Sequence, residues 1–210
     1  MKRVITVSHP LIQDKLIRLR DVRTGSCEFR ALLRELTALM TFEVTRDLST
    51  EKETVETPLG TTAGGEKVSG ELICVPVLRA GLGMVEGVLE VMPGARVGHV
   101  GIYRDPATLM AIEYYHKLPS GMGSAAMVLI VDPMLATGHT TVSALDICRR
   151  AGAVNLRVMC LVAAPEGISE VRKFHRDVPI FTAALDERLD SRGYILPGLG
   201  DAGDRIFGTK

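Results

Sequence analysis

The 210-residue sequence predicts an α/β domain: a buried parallel sheet flanked by helices, with helices ahead of it and one lid-like excursion. Three observations carry that expectation. After residue 70, short apolar runs recur at 71–78, 97–103, 126–131, 156–163 and 178–184, the continuous pattern of strands buried on both faces. Helical stretches at about 81–91, 139–151 and 167–175 fall between several of them, as strand–helix–strand units require. Before residue 48 the apolar residues recur instead at three- and four-residue steps.

Taken in order, residues 11–47 read as helical. Leu11, Leu16 and Ile17 start an apolar stripe, and Leu32, Leu33, Leu36, Leu39, Met40 and Val44 continue the helical spacing. Ser26 is the expected N-cap of the second helix. Residues 1–10 carry no capping signal. From 50 to 70 the chain turns polar and Gly-rich, with Thr57-Pro58-Leu59-Gly60 and Ala63-Gly64-Gly65 as turn signals. The interval 104–120 breaks the strand–helix rhythm and reads as an extended hairpin or a flap between two core strands. No internal repeat or low-complexity tract interrupts the chain, so one domain over 1–210 is expected.

Composition narrows the function. Twenty-five basic and 25 acidic residues give zero net charge, which argues against coating nucleic acid or an anionic membrane. Trp is absent and aromatics reach 4%, so a base-stacking platform is not expected. No apolar run approaches the ~20 residues of a spanning helix, and the N-terminus lacks a signal-peptide core. Cys27, Cys74, Cys148 and Cys160 form no CxxC pair, and three of them sit in apolar stretches, the pattern of reduced, buried thiols. A soluble, cytoplasmic protein is the expectation.

Ligands of open α/β sheets bind beyond the carboxyl ends of the strands, and three such ends carry unusual residues. The first is Asp132-Pro133-Met134-Leu135-Ala136-Thr137-Gly138-His139-Thr140-Thr141, between an apolar strand and a helix. A strand-tip acid can accept hydrogen bonds from sugar hydroxyls, while hydroxyl side chains and a helix N-terminus suit a phosphate. A nucleotide P-loop needs a Lys that is missing here; Thr-Gly-x-Thr alone would equally be a capped helix start. The second is Leu78-Arg79-Ala80-Gly81-Leu82-Gly83, an Arg beside a Gly-rich turn, suited to a diphosphate. The third is the tail 194–210. Its Gly198-Leu199-Gly200-Asp201-Ala202-Gly203 has the G-x-G-x-x-G spacing of dinucleotide sites, but only seven residues follow, leaving no room for that motif's helix, second strand and acid. A glycine-dense tail held by Ile206 and Phe207 offers bare backbone to a small flat ligand instead. His9, His99 and His175 have no metal-ligand spacing, and Glu113 and His116 read as solvated flap residues.

These motifs resemble the type I phosphoribosyltransferases, in the form of the uracil phosphoribosyltransferases, and the likeness runs along essentially the whole chain. Val131-Asp132-Pro133-Met134-Leu135-Ala136-Thr137-Gly138 is similar to their phosphoribosyl-diphosphate (PRPP) motif, with Asp-Pro where the wider family has two acids. His139 departs from a common Gly; its ring either reaches the phosphate or points to solvent, and solvent is the favoured expectation. The resemblance implies the reaction uracil + PRPP to UMP + diphosphate. It implies PRPP contacts from Arg79, Arg104, Asp132, Pro133, Met134, Leu135, Ala136, Thr137, Gly138, His139, Thr140 and Asp201. It implies uracil contacts from Ile195, Gly200, Asp201 and Ala202, and catalytic places for Asp201 and Arg104. Mg²⁺ is expected to enter with PRPP, without a protein cage. GTP activation and a homo-oligomer, dimer or tetramer, are family properties, whereas no nucleic-acid or membrane partner is expected. The rivals are a regulator of the same fold that binds nucleotide and RNA, which needs a basic face, and a purine phosphoribosyltransferase, which would lack the 198–205 tail.

Overall fold

The computed structural model describes residues 4–104 and 111–209; the side chains of Arg104 and Ala111 and the tip of the predicted flap, 105–110, lie outside the described residues. In chain order the elements are β1 (Val4–Thr6), α1 (Pro10–Arg20), α2 (Ser26–Val44), β2 (Thr50–Glu56), β3 (Thr62–Val68), β4 (Leu72–Leu78), α3 (Leu82–Val91), β5 (Arg96–Val97), β6 (His99–Arg104) and β7 (Ala111–Lys117). After a 3₁₀ turn at Met122–Ser124 follow β8 (Met127–Val131), β9 (Met134–Leu135), α4 (His139–Arg150), β10 (Leu156–Ala163), α5 (Pro165–Phe174), β11 (Ile180–Leu185), β12 (Arg188–Leu189), β13 (Ile195–Leu196) and α6 (Ala202–Phe207).

The main sheet runs β1-β11-β10-β8-β4-β6-β7, parallel throughout except for the β6–β7 hairpin. Its centre is buried on both faces, and the period of two sorts each strand's side chains between two cores. Leu72 and Cys74 of β4 and Met127, Leu129 and Val131 of β8 face the core under α1, α2, α3 and α6. Ile73, Val75, Val77, Val128 and Ile130 face the core under α4 and α5. Pro76 is tolerated in this central strand because β5 pairs with Ile73 and Cys74 and β6 only from Val77, leaving a gap at the proline. Burial pushes the thiols of Cys74, Cys148 and Cys160 up to about 12, so they are packing groups, while Cys27 is exposed.

Helix α2 buries Phe29, Leu32, Leu33, Leu36, Met40 and Val44, each contributing up to roughly 1.5–3 kcal/mol of burial free energy. It meets α3 so closely that a Cβ on Gly87 would fall 2.4 Å from the Arg34 carbonyl oxygen. Four sequence expectations need correction. The buried face of α1 is Ile12, Leu16 and Leu19, while Leu11 and Ile17 are 52% and 66% exposed. The N-cap of α2 is Gly25, with Ser26 inside the helix. Residues 50–68 form the antiparallel hairpin β2–β3, exposed along both strands, rather than a run of turns. Residues 4–6 pair with β11 at the sheet edge, and His9 caps α1 by accepting the Leu11 N–H at 3.2 Å. Of the interval 104–120 the structure describes β7, which pairs antiparallel along β6, and the residues after it. No helix among the described residues is long and apolar enough to cross a membrane.

Candidate active site

The strands β4 and β8 end along one edge of the sheet, and two of the candidate loops follow those ends while the third belongs to the C-terminal segment. Asp132 is the first residue past β8. Its Oδ1 accepts the Met134 N–H at 3.3 Å, but burial dominates and pushes the carboxyl up to about 7. The Pro133 carbonyl accepts N–H groups of Leu161 and Val162 at 3.0 and 3.1 Å, and the Leu135 carbonyl that of Ala164 at 2.9 Å. Pro133 and Leu135 are buried, so they fix the loop rather than present side chains.

At Gly138 the chain turns into α4 with φ +85°, where a Cβ would stand 2.6 Å from the Gly167 carbonyl oxygen. In return, a Cβ on Gly167 would stand 2.4 Å from the Ala136 oxygen and 2.7 Å from that of Leu135. The 132–138 loop thus rests backbone to backbone on the first turn of α5. Helix α4 starts without a side-chain cap, so its first N–H groups suit an anion, beside the half-buried Thr137 and Thr140. His139 is exposed, in line with the favoured of its two expected places. It puts Nε2 3.7 Å from Oε1 of Glu170 on α5.

The second loop follows β4 through a cis Leu78–Arg79 peptide. Gly81 is enclosed: a Cβ would lie 2.5 Å from the Val131 oxygen and 2.6 Å from the Val77 nitrogen, so this turn packs directly on the end of β8. Arg79 is 59% exposed and leans toward α6, with Nη2 3.8 Å from Asp204 Oδ1 and its guanidinium 5.9 Å from the Phe207 ring centroid. Arg104 closes β6; its side chain lies outside the described residues.

The C-terminal segment is held by Ile206, which is buried, whereas Phe207, expected to share that role, is exposed. Ile195 pairs with Leu189 in a small β12–β13 ladder, and the G-x-G-x-x-G stretch opens onto a helix, six-residue α6, with no strand after it. Asp201 caps α6, its Oδ1 accepting the Asp204 N–H at 3.0 Å. The segment is tied to the N-terminal helices by Arg205, which stacks 4.4 Å from the Phe29 ring centroid. It donates to the carbonyls of Leu19, Leu199 and Asp21 at 2.6, 2.9 and 2.6 Å.

These three pieces close around one cavity of about 220 Å³. Asp132, Met134 and Ala136 line it from the β8 loop, Ala80 from the β4 loop, and Ile195, Gly200, Asp201 and Ala202 from the C-terminal segment. The predicted base side and the predicted ribose side therefore face each other. Gly193, Tyr194 and Gly203 also line it, of which Gly193 lay just before the motif read from sequence. Arg79, Thr137, Gly138, His139 and Thr140 stand outside the cavity proper, along the two loops that frame it. A larger concavity of about 930 Å³, lined by Val4, Ile168, Arg172 and Leu185 among others, contains none of the predicted residues.

Known proteins match along this whole arrangement. The family profile "Uracil phosphoribosyltransferase" matches residues 5–209. The chain is 56% identical over 210 residues to the uracil phosphoribosyltransferase of Bacillus licheniformis and 52% identical to that of Clostridioides difficile, covering all of both chains in each case. Among solved structures, the AQ2163 protein of Aquifex aeolicus superposes with a TM-score of 0.93 at 38% identity over 99% of each chain. The adenine phosphoribosyltransferase of Trypanosoma brucei shares the fold at a TM-score of 0.56 and 12% identity, over 87% of this chain and 82% of that one. With the family profile spanning nearly every residue and full-length relatives above half identity, the chain belongs to the uracil phosphoribosyltransferase family.

Proposed function

We propose that the chain joins uracil to PRPP, giving UMP and diphosphate in pyrimidine salvage. The observation that carries this reading is the single cavity in which Asp132 faces the backbone of Ile195 and Gly200–Ala202. Uracil N1 bonds to ribose C1 as the C1–O bond to diphosphate breaks, and the N1 proton is released. Such a displacement needs no protein nucleophile; it needs two substrates held in line and a leaving group whose charge is met. Asp132 accepts from the ribose hydroxyls, and the N-terminus of α4 with Thr137 and Thr140 receives the 5′-phosphate. Arg79 and Arg104 meet the diphosphate, and Asp201 stands where base and PRPP adjoin. Uracil offers an N3–H between two carbonyls, which main-chain groups of a Gly-rich loop can match at close range.

Mg²⁺ supplies charge neutralisation on the diphosphate when bound. Among the described residues no three His, Cys, Asp or Glu side chains gather into a cage, and the cavity brings two carboxylates, Asp132 and Asp201, to its wall. That donor set suits an ion carried by substrate phosphates and water. A cytoplasmic homo-oligomer activated by GTP accompanies this reading as the family resemblance implies it, and residues 1–210 act as one catalytic domain. Turnover with uracil, cytosine, hypoxanthine and adenine, each with PRPP and Mg²⁺, tests the proposal. Uracil should be preferred over cytosine by at least about 10³-fold, since a site built on hydrogen bonds leaves groups unsatisfied with the wrong base. Comparable turnover of cytosine or of a purine would refute it.

A further inference from the structure

We propose that Arg20 and Asp186 form a clamp that sets base selection, by fixing the backbone wall on the uracil side of the cavity; this rests on the base-reading role given above to residues 195–202. Arg20 is the last residue of α1 and Asp186 follows β11, 166 positions apart. Their side chains are 17% and 5% exposed. Arg20 Nη1 and Nη2 donate to Asp186 Oδ2 and Oδ1 at 2.8 and 2.6 Å, a two-pronged pair of defined geometry. The same two groups also grip one residue of the C-terminal segment. Arg20 Nη1 donates to the Gly198 carbonyl at 2.5 Å, and Asp186 Oδ2 accepts the Gly198 N–H at 2.8 Å.

Gly198 cannot anchor itself. It sits at φ +63°, and a Cβ there would fall 2.1 Å from the Ile195 carbonyl oxygen, so the turn has no side chain to pack. The wall it belongs to has open space on both sides. A second cavity of about 720 Å³ lies behind it, and Tyr194, Ile195, Gly200 and Asp201 line both cavities. Ile195 and Leu199 on either side are packed into the core, and the Leu199 carbonyl accepts from Arg205, so the ends of the turn are held. The backbone of the turn itself, where Gly198 has no side chain, is oriented by the bonds made to Gly198. Stability alone does not call for a buried ion pair, since apolar residues of similar size in such places are as good or better. What the pair adds is direction: two hydrogen-bond vectors on Gly198, three residues from Ile195 and two from Gly200. A displaced wall would misplace the groups that read the base while leaving the PRPP loops on β4 and β8 untouched.

The test uses the full chain with Arg20→Lys and the double variant Arg20→Met/Asp186→Leu, which removes both charges together and avoids leaving one buried and unpaired. The double variant is expected to raise KM for uracil at least tenfold, to keep KM for PRPP within twofold, and to lower the uracil-over-cytosine preference at least tenfold. Arg20→Lys, which keeps the charge without the fork, should fall between it and the parent. A merely structural pair would lower Tm or the active fraction with uracil KM and base preference unchanged, and that result overturns the proposal. If the double variant does not fold, Arg20→Lys decides alone: raised uracil KM with PRPP KM unchanged supports the clamp, and parental constants overturn it. Amide hydrogen exchange at Gly198–Gly200 separates this from the function reading. Faster exchange in Arg20→Lys, confined to that stretch, supports the clamp even if the parent fails to turn over uracil; equal exchange overturns it.

Discussion

Replacing Gly167 by Ala should separate helix stability from activity, because the residue lies on α5 while the damage falls on the PRPP loop. Within the helix the change is favourable by up to ~1 kcal/mol, Ala being the better helix former. The added Cβ, however, would stand 2.4 Å from the Ala136 oxygen, against the 3.4 Å at which ordinary contact begins. About 1 Å must therefore be found between two backbones, with no flexible side-chain tip to absorb it. The loop cannot yield at its base, where the Pro133 and Leu135 carbonyls are bonded to β10 and the residue after it. The displacement falls on Ala136–Gly138. Overpacking of this kind costs about 1–3 kcal/mol, so after the helix gain the net loss is roughly 0–3 kcal/mol. In a chain of this size that lowers Tm by up to about 10 °C. A misplacement of about 1 Å in a substrate-positioning loop costs on the order of 10²-fold in rate. Steady-state kinetics in both substrates, with a thermal melt, measure the two effects separately. We expect kcat/KM for PRPP to drop about 100-fold in a protein that is still folded at assay temperature. A folded Gly167→Ala protein with parental PRPP kinetics would refute the reasoning and remove the 132–138 loop from the PRPP site.

Three further outcomes are expected. With the Asp132 carboxyl near 7, kcat/KM for PRPP should fall about tenfold from pH 8 to pH 6, and Asp132→Asn should be one to two orders of magnitude slower at pH 8 without that limb. Because this carboxyl is raised above its unfolded value, ionisation works against the fold and stability declines as pH rises from about 4 to about 7; Asp132→Asn should accordingly raise Tm at pH 8, and a lowered Tm would contradict the burial argument. Arg79→Ala should reduce kcat/KM for PRPP while leaving uracil KM at saturating PRPP nearly intact, equal losses in both substrates being the contrary result. Gly200→Val should raise uracil KM more than PRPP KM. The reason is φ +78° rather than crowding, since a Cβ would meet Arg205 Cδ only at 3.7 Å. Gly200→Asn, which tolerates that region, should be the milder change, and equal effects of Val and Asn would refute the backbone explanation.

What could be read from sequence was local and contiguous. The strand-tip acid, the small loop and the helix start that follows occupy ten consecutive residues, so one motif holds the residues proposed for ribose and phosphate. The residues proposed for the base likewise form one glycine-dense stretch, and the structure brings members of both to one cavity. Features set by competition or by distance were not. In α1 two apolar faces overlap on eleven residues, and Ile12, Leu16 and Leu19 win because their spacing of four and three fits one helical stripe better than Leu11, Leu16 and Ile17. At α2 the serine was expected to cap, and the chain instead uses the extended backbone of the preceding Gly25 with no side-chain bond. Of the turn signals, Thr57-Pro58-Leu59-Gly60 marks the tip of a hairpin while Ala63-Gly64-Gly65 lies within its second strand, and neither strand shows apolar alternation because neither face is covered. Arg20 and Asp186 meet from opposite ends of the chain, and nothing in their neighbours announces it.

The bonds that hold the C-terminal segment also impose an order of events during synthesis. Arg205 reaches carbonyls of residues 19 and 21, Arg30 donates to the Ile206 carbonyl, and Arg20 waits for Gly198. On the ribosome the first helices emerge long before their partners, and Leu33 stays uncovered at the place where Gly83 and Ile206 later converge. A nascent chain that has reached residue 185 already contains both loops assigned to PRPP but no wall for the base. The cavity is completed only when the last helix docks, so a translation product halted or clipped in the final twenty residues would lack one whole wall of it and leave the core under α2 and α3 open.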